Sequence, residues 1–153
     1  MAQAVDAKQN AQQVTAHQIN IQVAKQLADL VKSTLGPYGM DKEMVDAAGS
    51  VLMTNDGATI LKETKLNHPT AKIITEVART QEENCYDGTT SSVVITGEMM
   101  DKASDLLDMK IHPTRIAKGY NIANTKAQEL LSDISIEVDD ELLLSVAKTA
   151  MTG

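Results

Sequence analysis

The chain has 153 residues, 42% of them hydrophobic and 23% charged, which is the length and composition of one globular domain with its own core. Its 21 acidic residues outnumber its 14 basic ones and leave a net charge of −7, which argues against a protein that binds nucleic acid through a basic patch. One cysteine excludes an intramolecular disulfide, and no apolar run reaches the length of a membrane span or a secretory leader. We therefore expect a soluble, cytoplasmic, acidic domain with neither a nucleic-acid nor a membrane partner.

Aromatic residues are almost absent: there are three tyrosines and neither phenylalanine nor tryptophan. A platform of aromatic side chains for stacking bases is therefore improbable. The composition predicts an aliphatic core filled by leucine, isoleucine, valine, alanine and the eight methionines.

The first predicted element is a helix. Residues 1–13 are polar and rich in glutamine and alanine, and we interpret them as a mobile lead-in. From Val14 onward an apolar stripe at helical spacing predicts a helix. That helix should end at Leu35-Gly36-Pro37, because glycine suits a left-handed cap and proline cannot continue the hydrogen-bond ladder. The stripe consists of Ile19, Val23, Leu27, Leu30 and Val31.

Two short apolar runs follow, at residues 44–47 and 51–54, and the glycine between them predicts a β-hairpin. The rest of the chain has helical patterns at residues 58–64, 69–78, 89–107, 116–131 and 142–150. The predicted fold class is mainly α, with one small hairpin. His17, His68 and His112 are isolated from one another, and we expect turn or surface roles for them.

Three loops at element boundaries could carry chemistry. The first, residues 34–42, places two glycines close to Lys42, which would let backbone N–H groups approach an anion, or it is simply a helix stop and a turn. In the second, Asp56 precedes Gly57 and a helix, and its carboxylate either caps that helix or orients a water as a general base.

The third loop, Asp87-Gly88-Thr89-Thr90-Ser91-Ser92, lies at the start of a helix. Its free N–H groups, its hydroxyls and the positive end of the helix dipole suit a phosphate. Asp87 would repel a bare phosphate, so this reading requires a bridging Mg²⁺. The alternative is that Asp87 is an ordinary N-cap residue.

Taken together and in order, these stretches resemble the group II chaperonins, the family of archaeal thermosome and eukaryotic cytosolic chaperonin subunits. The resemblance covers residues 14–153 and is far more specific than any one motif. The matching runs are TLGPYGMDK (34–42), TNDGATILK (54–62), HPTAK (68–72), DGTTSSVV (87–94) and HPTRIAKGY (112–120).

The resemblance implies that residues 14–153 form the N-terminal half of an equatorial domain, which binds ATP or ADP with Mg²⁺ in a ring-forming protein-folding machine. It assigns Mg²⁺ to Asp87 and the positioning of the attacking water to Asp56, as the catalytic residue. The hairpin resembles the family's stem-loop, which extends the sheet of a neighbouring subunit. The implied nucleotide-binding residues are Leu35, Gly36, Pro37, Gly88, Thr89, Thr90, Ser91, Thr152 and Gly153.

Two departures from the family pattern affect this assignment. The family usually has glycine before the aspartate of DGTT, whereas this chain has Tyr86, which would add strain at a positive φ or obstruct the nucleotide. Family subunits are also several times longer, and their C-terminal segment supplies a second catalytic aspartate, while other domains bind unfolded clients. Turnover by these residues alone should therefore be negligible, and whether the chain is an enzyme stays open.

Three functions are compatible with the sequence. The first is the ATP-binding part of an ATP-dependent chaperonin with neighbouring subunits. The second is a non-catalytic helical module that keeps the fold and self-associates, in part through its hairpin. The third and least favoured is an independent ATPase.

Overall fold

The computed structural model describes residues 2–46, 48–64 and 66–151, with side chains from Ala16 onward. Within these ranges it contains six helices and one antiparallel hairpin, which confirms the predicted fold class. The helices are α1 (Ala2–Lys32), α2 (Gly57–Glu63), α3 (Pro69–Cys85), α4 (Thr89–Asp108), α5 (Pro113–Ile134) and α6 (Asp140–Ala150), and the strands are β1 (Lys42–Val45) and β2 (Val51–Thr54). None of the helices in the described ranges combines the length and apolarity that crossing a bilayer requires.

The chain divides into two compact units, Met1–Ser104 and Asp105–Gly153. The first contains the hairpin, three complete helices and most of α4, and it holds all the described residues predicted for the site. Helix α1 runs through the segment predicted as a lead-in, so residues 2–13 have helical backbone; their mobility stays a prediction.

The core of the first unit is aliphatic, as predicted. Along α1 the buried positions recur every three or four residues, which is the spacing of one helix face. Ile19, predicted on that face, lies instead at the surface. The buried cluster comprises Ala24, Leu27 and Val31 of α1, Ile60 and Leu61 of α2, Ala71, Ile74 and Ala78 of α3, and Val93 of α4.

Methionines contribute less to this core than predicted. Met44 and Met100 pack against it from its edge. The others described are exposed, which corrects the expectation that methionine replaces the missing aromatic residues inside; small alanine side chains let the helices approach and leave less volume to fill. The exposed methionines are Met40, Met53, Met99, Met109 and Met151.

Close approach of α1 and α4 depends on Gly97. A Cβ atom at this position would lie 2.2 Å from the Cβ of Ala28, so only glycine fits between the two helices. Beside this contact, Lys25 pairs with Asp101 at 2.6 Å and Lys32 with Glu98 at 2.7 Å. Because a later residue of α1 pairs with an earlier residue of α4, the two helices are antiparallel.

The hairpin pairs Lys42 with Thr54 and Val45 with Val51. Its second strand coincides with the predicted run at residues 51–54, and its first begins two residues before the run predicted at 44–47. Its turn is held by Asp46, whose Oδ1 accepts hydrogen bonds from the N–H groups of Ala48 and Ser50, both at 2.8 Å. Ala47, predicted in the first strand, lies outside the described residues.

In the second unit, α5 begins at Pro113 with His112 as its N-cap, and α6 begins after Asp139, whose carboxylate accepts from the N–H of Leu142 at 2.8 Å. Both helices were predicted at these positions. Large apolar side chains remain exposed on both helices, among them Ile122, Leu131, Ile134, Leu143 and Leu144.

Candidate functional site

Backbone hydrogen bonds close the loop that follows α1. The N–H of Met40 donates to the carbonyl of Ser33 at 2.9 Å, and within the loop the N–H of Gly39 donates to the carbonyl of Gly36 at 2.8 Å. Gly36 has φ +86°, and a Cβ at Gly39 would lie 2.3 Å from the carbonyl oxygen of Thr34, so both glycines are needed for this path. The loop therefore has a defined shape and exposes Leu35, Gly36 and Pro37.

The start of α2 is capped by Asp56. Its Oδ2 accepts a hydrogen bond from the N–H of Thr59 at 2.8 Å, which is the ordinary capping interaction. Its own N–H donates to the hydroxyl of Thr54 at 3.1 Å, so the residue is fixed to the end of β2 as well. The half-buried carboxylate is thus held in one orientation with one oxygen engaged.

The connection between α3 and α4 is a short turn, residues 86–88. Tyr86 ends α3 in the left-handed conformation, with φ 56° and ψ 12°, and its N–H donates to the carbonyl of Glu82 at 2.9 Å. Its side chain is 87% exposed and does not fill the turn. Position 86 therefore has the positive φ at which glycine is favourable, and the backbone of the tyrosine found there is strained.

Asp87 does not cap α4. The first helical hydrogen bond runs from the N–H of Ser92 to the carbonyl of Gly88 at 2.9 Å, which makes Gly88 the N-cap. Asp87 Oδ1 instead accepts from the N–H of Gly88 at 2.7 Å, so the interpretation of Asp87 as an ordinary N-cap is wrong. Because Gly88 has no side chain to satisfy the helix start, the N–H groups of the first turn remain available to an anion.

Helices α2 and α4 meet at their N-termini. A Cβ at Gly57 would lie 2.6 Å from Oγ1 of Thr90 and 3.3 Å from its Cα, so the backbone of Gly57 rests against the first turn of α4. This contact brings Asp56 beside the Gly88–Ser91 segment. The antiparallel packing of α1 on α4 puts the loop after α1 at the same end of the unit.

The described residues contain no group of three or more histidine, cysteine, aspartate or glutamate side chains that could hold a metal. Asp87 is a single exposed carboxylate next to the first-turn N–H groups of α4. That donor set fits Mg²⁺, which is commonly held by one or two carboxylates together with phosphate oxygens and water.

Shifted pKa values lie along the α1–α4 interface and on α3. The hydrogen bond from Lys25 lowers the pKa of Asp101, and that from Lys32 lowers the pKa of Glu98. On α3, the hydrogen bond from Arg79 lowers the pKa of Glu76. These are exposed ion pairs that affect stability, and none includes a predicted site residue.

The predicted site residues thus fall into three groups. Asp56 and the segment from Asp87 to Ser91 are brought together by the Gly57–Thr90 contact. Leu35, Gly36 and Pro37 lie on the loop at the same end, with no contact to that pair recorded among the described residues. Thr152 and Gly153 lie outside the described residues.

Sequence reasoning missed two features. His68 and His112 are N-caps: Nδ1 of each accepts from a threonine N–H two residues later, at 3.2 and 3.3 Å. The signal was present, since His-Pro-Thr occurs twice, each time with proline at the first helical position. The second feature is Gln81, whose Nε2 donates to the carbonyl of Asp87 at 2.9 Å; no pattern in the sequence indicated it.

Comparison with known proteins agrees with these motifs. The model of the TCP-1/cpn60 chaperonin family matches residues 27–153. The chain is 55% identical over 139 residues to thermosome subunit beta of Methanothermobacter thermautotrophicus, covering 90% of this chain and 26% of that protein. It is 52% identical over 141 residues to the thermosome subunit of Methanopyrus kandleri and to thermosome subunit alpha of Archaeoglobus fulgidus, with the same coverage. The chain spans about a quarter of the length of these relatives, and it belongs to the TCP-1/cpn60 chaperonin family.

Proposed function

We propose that this chain is the ATP-binding part of an ATP-dependent protein-folding chaperonin. The observation that carries the proposal is the Gly57–Thr90 contact, which brings Asp56 beside the start of α4, where the N-cap Gly88 has no side chain. A helix N-terminus supplies N–H donors and a positive dipole end to phosphate, and a nearby carboxylate supplies an acceptor for a water proton. Family membership supports the chaperone role.

In this proposal, each part of the site has one task. The N–H groups and hydroxyls of Thr89, Thr90 and Ser91 bind phosphate oxygens, and Leu35, Gly36 and Pro37 line the nucleotide from the loop after α1. Asp87 is the carboxylate that holds Mg²⁺. When bound, Mg²⁺ would neutralise charge on the phosphates.

Asp56 orients the attacking water. Its Oδ2 is engaged by the N–H of Thr59, which fixes the plane of the carboxylate and leaves Oδ1 to accept a proton from water. Within these 153 residues the family resemblance provides one such carboxylate. We therefore expect the polypeptide alone to bind nucleotide but to hydrolyse it negligibly.

The proposed partners are neighbouring chaperonin subunits, and unfolded clients bound through other parts of the family's longer subunits. Three relatives are named as thermosome subunits, which supports assembly. The hairpin suits a subunit contact, because Val45, Val51 and Met53 are exposed on a two-stranded sheet.

A second candidate is a non-catalytic helical module that assembles without using nucleotide. Tyr86 favours it, because an L-residue replaces glycine at a positive φ directly before the phosphate-binding segment. In this case the fold and the hairpin contact persist while the site is inactive.

Calorimetric titration with ADP and ATP, with and without Mg²⁺, distinguishes the two. Asp87→Ala removes the proposed Mg²⁺ ligand, and Asp108→Ala, in the last turn of α4, is the charge-matched control. The proposal expects saturable, Mg²⁺-dependent binding that is lost in Asp87→Ala and kept in Asp108→Ala. No binding by the wild type, but binding by Tyr86→Gly, would identify a site closed by one residue. Absence of nucleotide binding by the wild type and every variant, with self-association intact, would establish the second candidate.

A further inference from the structure

We propose that Gln81 is a positioning residue that holds the Asp87–Gly88 turn in its phosphate-binding shape. The inference rests on the proposed nucleotide site and extends it to a side chain on a different helix. Gln81 lies on α3, six residues before Asp87, and is not itself assigned to catalysis or to nucleotide. Its half-buried amide donates from Nε2 to the carbonyl oxygen of Asp87 at 2.9 Å.

This hydrogen bond acts at the most constrained point of the turn. The residues on either side of Asp87 both have positive φ values, +56° at Tyr86 and +77° at Gly88. A non-glycine residue at positive φ is strained, so a turn that contains one tends to relax unless its neighbouring peptides are held. The Gln81 amide holds the peptide between Asp87 and Gly88, the second peptide after Tyr86, so it restrains ψ of Asp87 and φ of Gly88 and limits how far the turn can relax.

The fit between Gln81 and Gly88 is close. A Cβ at Gly88 would lie 3.2 Å from Nε2 of Gln81, closer than an ordinary contact, so a side chain at Gly88 would displace the amide by a few tenths of an ångström. Gly88 is also the residue whose carbonyl accepts the first hydrogen bond of α4, from Ser92. Moving the Asp87–Gly88 peptide would therefore reorient the first-turn N–H groups together with the Asp87 carboxylate.

The test replaces Gln81 with methionine, which keeps the length of the side chain and removes the donor without adding charge. The control is Asn84→Leu on the same helix, where the amide Nδ2 donates to the carbonyl of Thr80 at 2.8 Å and no hydrogen bond reaches the turn. Both variants lose one amide-to-carbonyl bond, so a difference between them reports on the turn itself.

The first readout does not depend on nucleotide. Amide hydrogen exchange of Ser92 reports the start of α4, and that of Ile60, which donates to Asp56 at 3.0 Å, reports the start of α2. We expect Gln81→Met to accelerate exchange at Ser92 about five- to tenfold, as loss of one hydrogen bond would, and to leave Ile60 unchanged. Equal exchange at Ser92 in wild type, Gln81→Met and Asn84→Leu would overturn the inference.

The second readout is Mg²⁺–ADP affinity, measured by calorimetry on the same 153-residue chains. We expect roughly five- to tenfold weaker binding in Gln81→Met and wild-type affinity in Asn84→Leu. Unchanged affinity in Gln81→Met would overturn the role of Gln81 toward nucleotide while leaving the proposed function intact. Absence of binding in the wild type would overturn the proposed function, and with it the role toward nucleotide, while the exchange result alone decides whether Gln81 holds the turn.

Discussion

At the residue scale, Tyr86 combines an unfavourable backbone conformation with an unpacked side chain. Its φ of 56° lies in the left-handed region, which costs an L-residue roughly 1–2 kcal/mol relative to ordinary helical geometry. Its phenol ring is exposed and offsets none of this through burial. The chain therefore retains a locally costly residue directly beside the segment that we propose binds phosphate.

We expect Tyr86→Gly to raise the free energy of unfolding by about 0.5–1 kcal/mol, because glycine adopts positive φ without strain, less the entropy that it adds to the unfolded chain. Urea denaturation followed by circular dichroism measures the change. Tyr38→Gly is the matched control, since Tyr38 is equally exposed but does not have positive φ. That variant should gain no stability, and an equal gain in both would show that relief of strain is not the cause.

At the scale of elements, the contact between α1 and α4 depends on one missing side chain. Gly97 lies within α4, where glycine is intrinsically unfavourable, yet a Cβ there would overlap Ala28 at 2.2 Å. Packing thus overrides helix propensity at this position.

We expect Gly97→Ala to lower the free energy of unfolding by about 1–3 kcal/mol, because the helices must separate to admit the methyl group. Gly119→Ala in α5 adds the same methyl group where no atom lies within 4 Å, and should stabilise by roughly 0.5–1 kcal/mol through helix propensity. Chemical denaturation measures the free energy of unfolding of both variants and checks that Gly97→Ala lowers it while Gly119→Ala raises it. Stabilisation by Gly97→Ala would contradict the close packing.

The elements themselves were largely predictable, because their boundaries are set by local chemistry. Asp56-Gly57 begins α2 and Pro69 begins α3, close to the predicted positions, whereas α1 ends at Lys32, before the stop predicted at Leu35-Gly36-Pro37. The contact between Gly57 and Thr90 was not predictable in this way. It joins two residues far apart in the chain through packing of two helices, and neither periodicity nor turn chemistry encodes which helix ends meet.

Candidate site residues can be named from the sequence, but their geometry cannot. The order of the motifs along the chain is enough to single out Asp56 and Asp87 as candidate site residues. The capping roles of His68 and His112 were signalled by the repeated His-Pro-Thr, whereas the hydrogen bond from Gln81 depends on a side-chain direction, which a helical pattern does not specify. For the same reason, the surface position of most methionines was missed.

At the scale of the whole molecule, stability should fall in acid. In the folded chain, Lys25 and Lys32 hold the pKa values of Asp101 and Glu98 below their ordinary range, so the unfolded chain takes up protons at a higher pH than the folded one. The contribution of these pairs to the free energy of unfolding is fully present above the ordinary carboxyl pKa values, near pH ~4. It is lost as the pH falls through the lowered pKa values of the folded chain.

We expect the urea midpoint of the double variant Lys25→Met, Lys32→Met to fall less than that of the wild type between about pH 7 and about pH 3. The difference should be small, because Lys25, Lys32 and Glu98 are exposed to solvent and Asp101 is only half-buried. Lys62→Met is the control, since no ion pair is recorded for Lys62 among the described residues. An identical fall in the double variant, the control and the wild type would show that these pairs do not couple stability to pH.

The distribution of tyrosine makes the molecule suited to optical measurement. The chain has no tryptophan, and Tyr38 and Tyr86, 95% and 87% exposed, lie on the two loops that border the candidate site, while the buried cluster of the first unit contains no aromatic ring. Global unfolding should therefore change the tyrosine emission of these two residues little, since both are already in water. A ligand that covers either loop would alter that emission directly, so the emission of Tyr38 and Tyr86 reports on the loops, while the half-buried Tyr120 of α5 contributes separately.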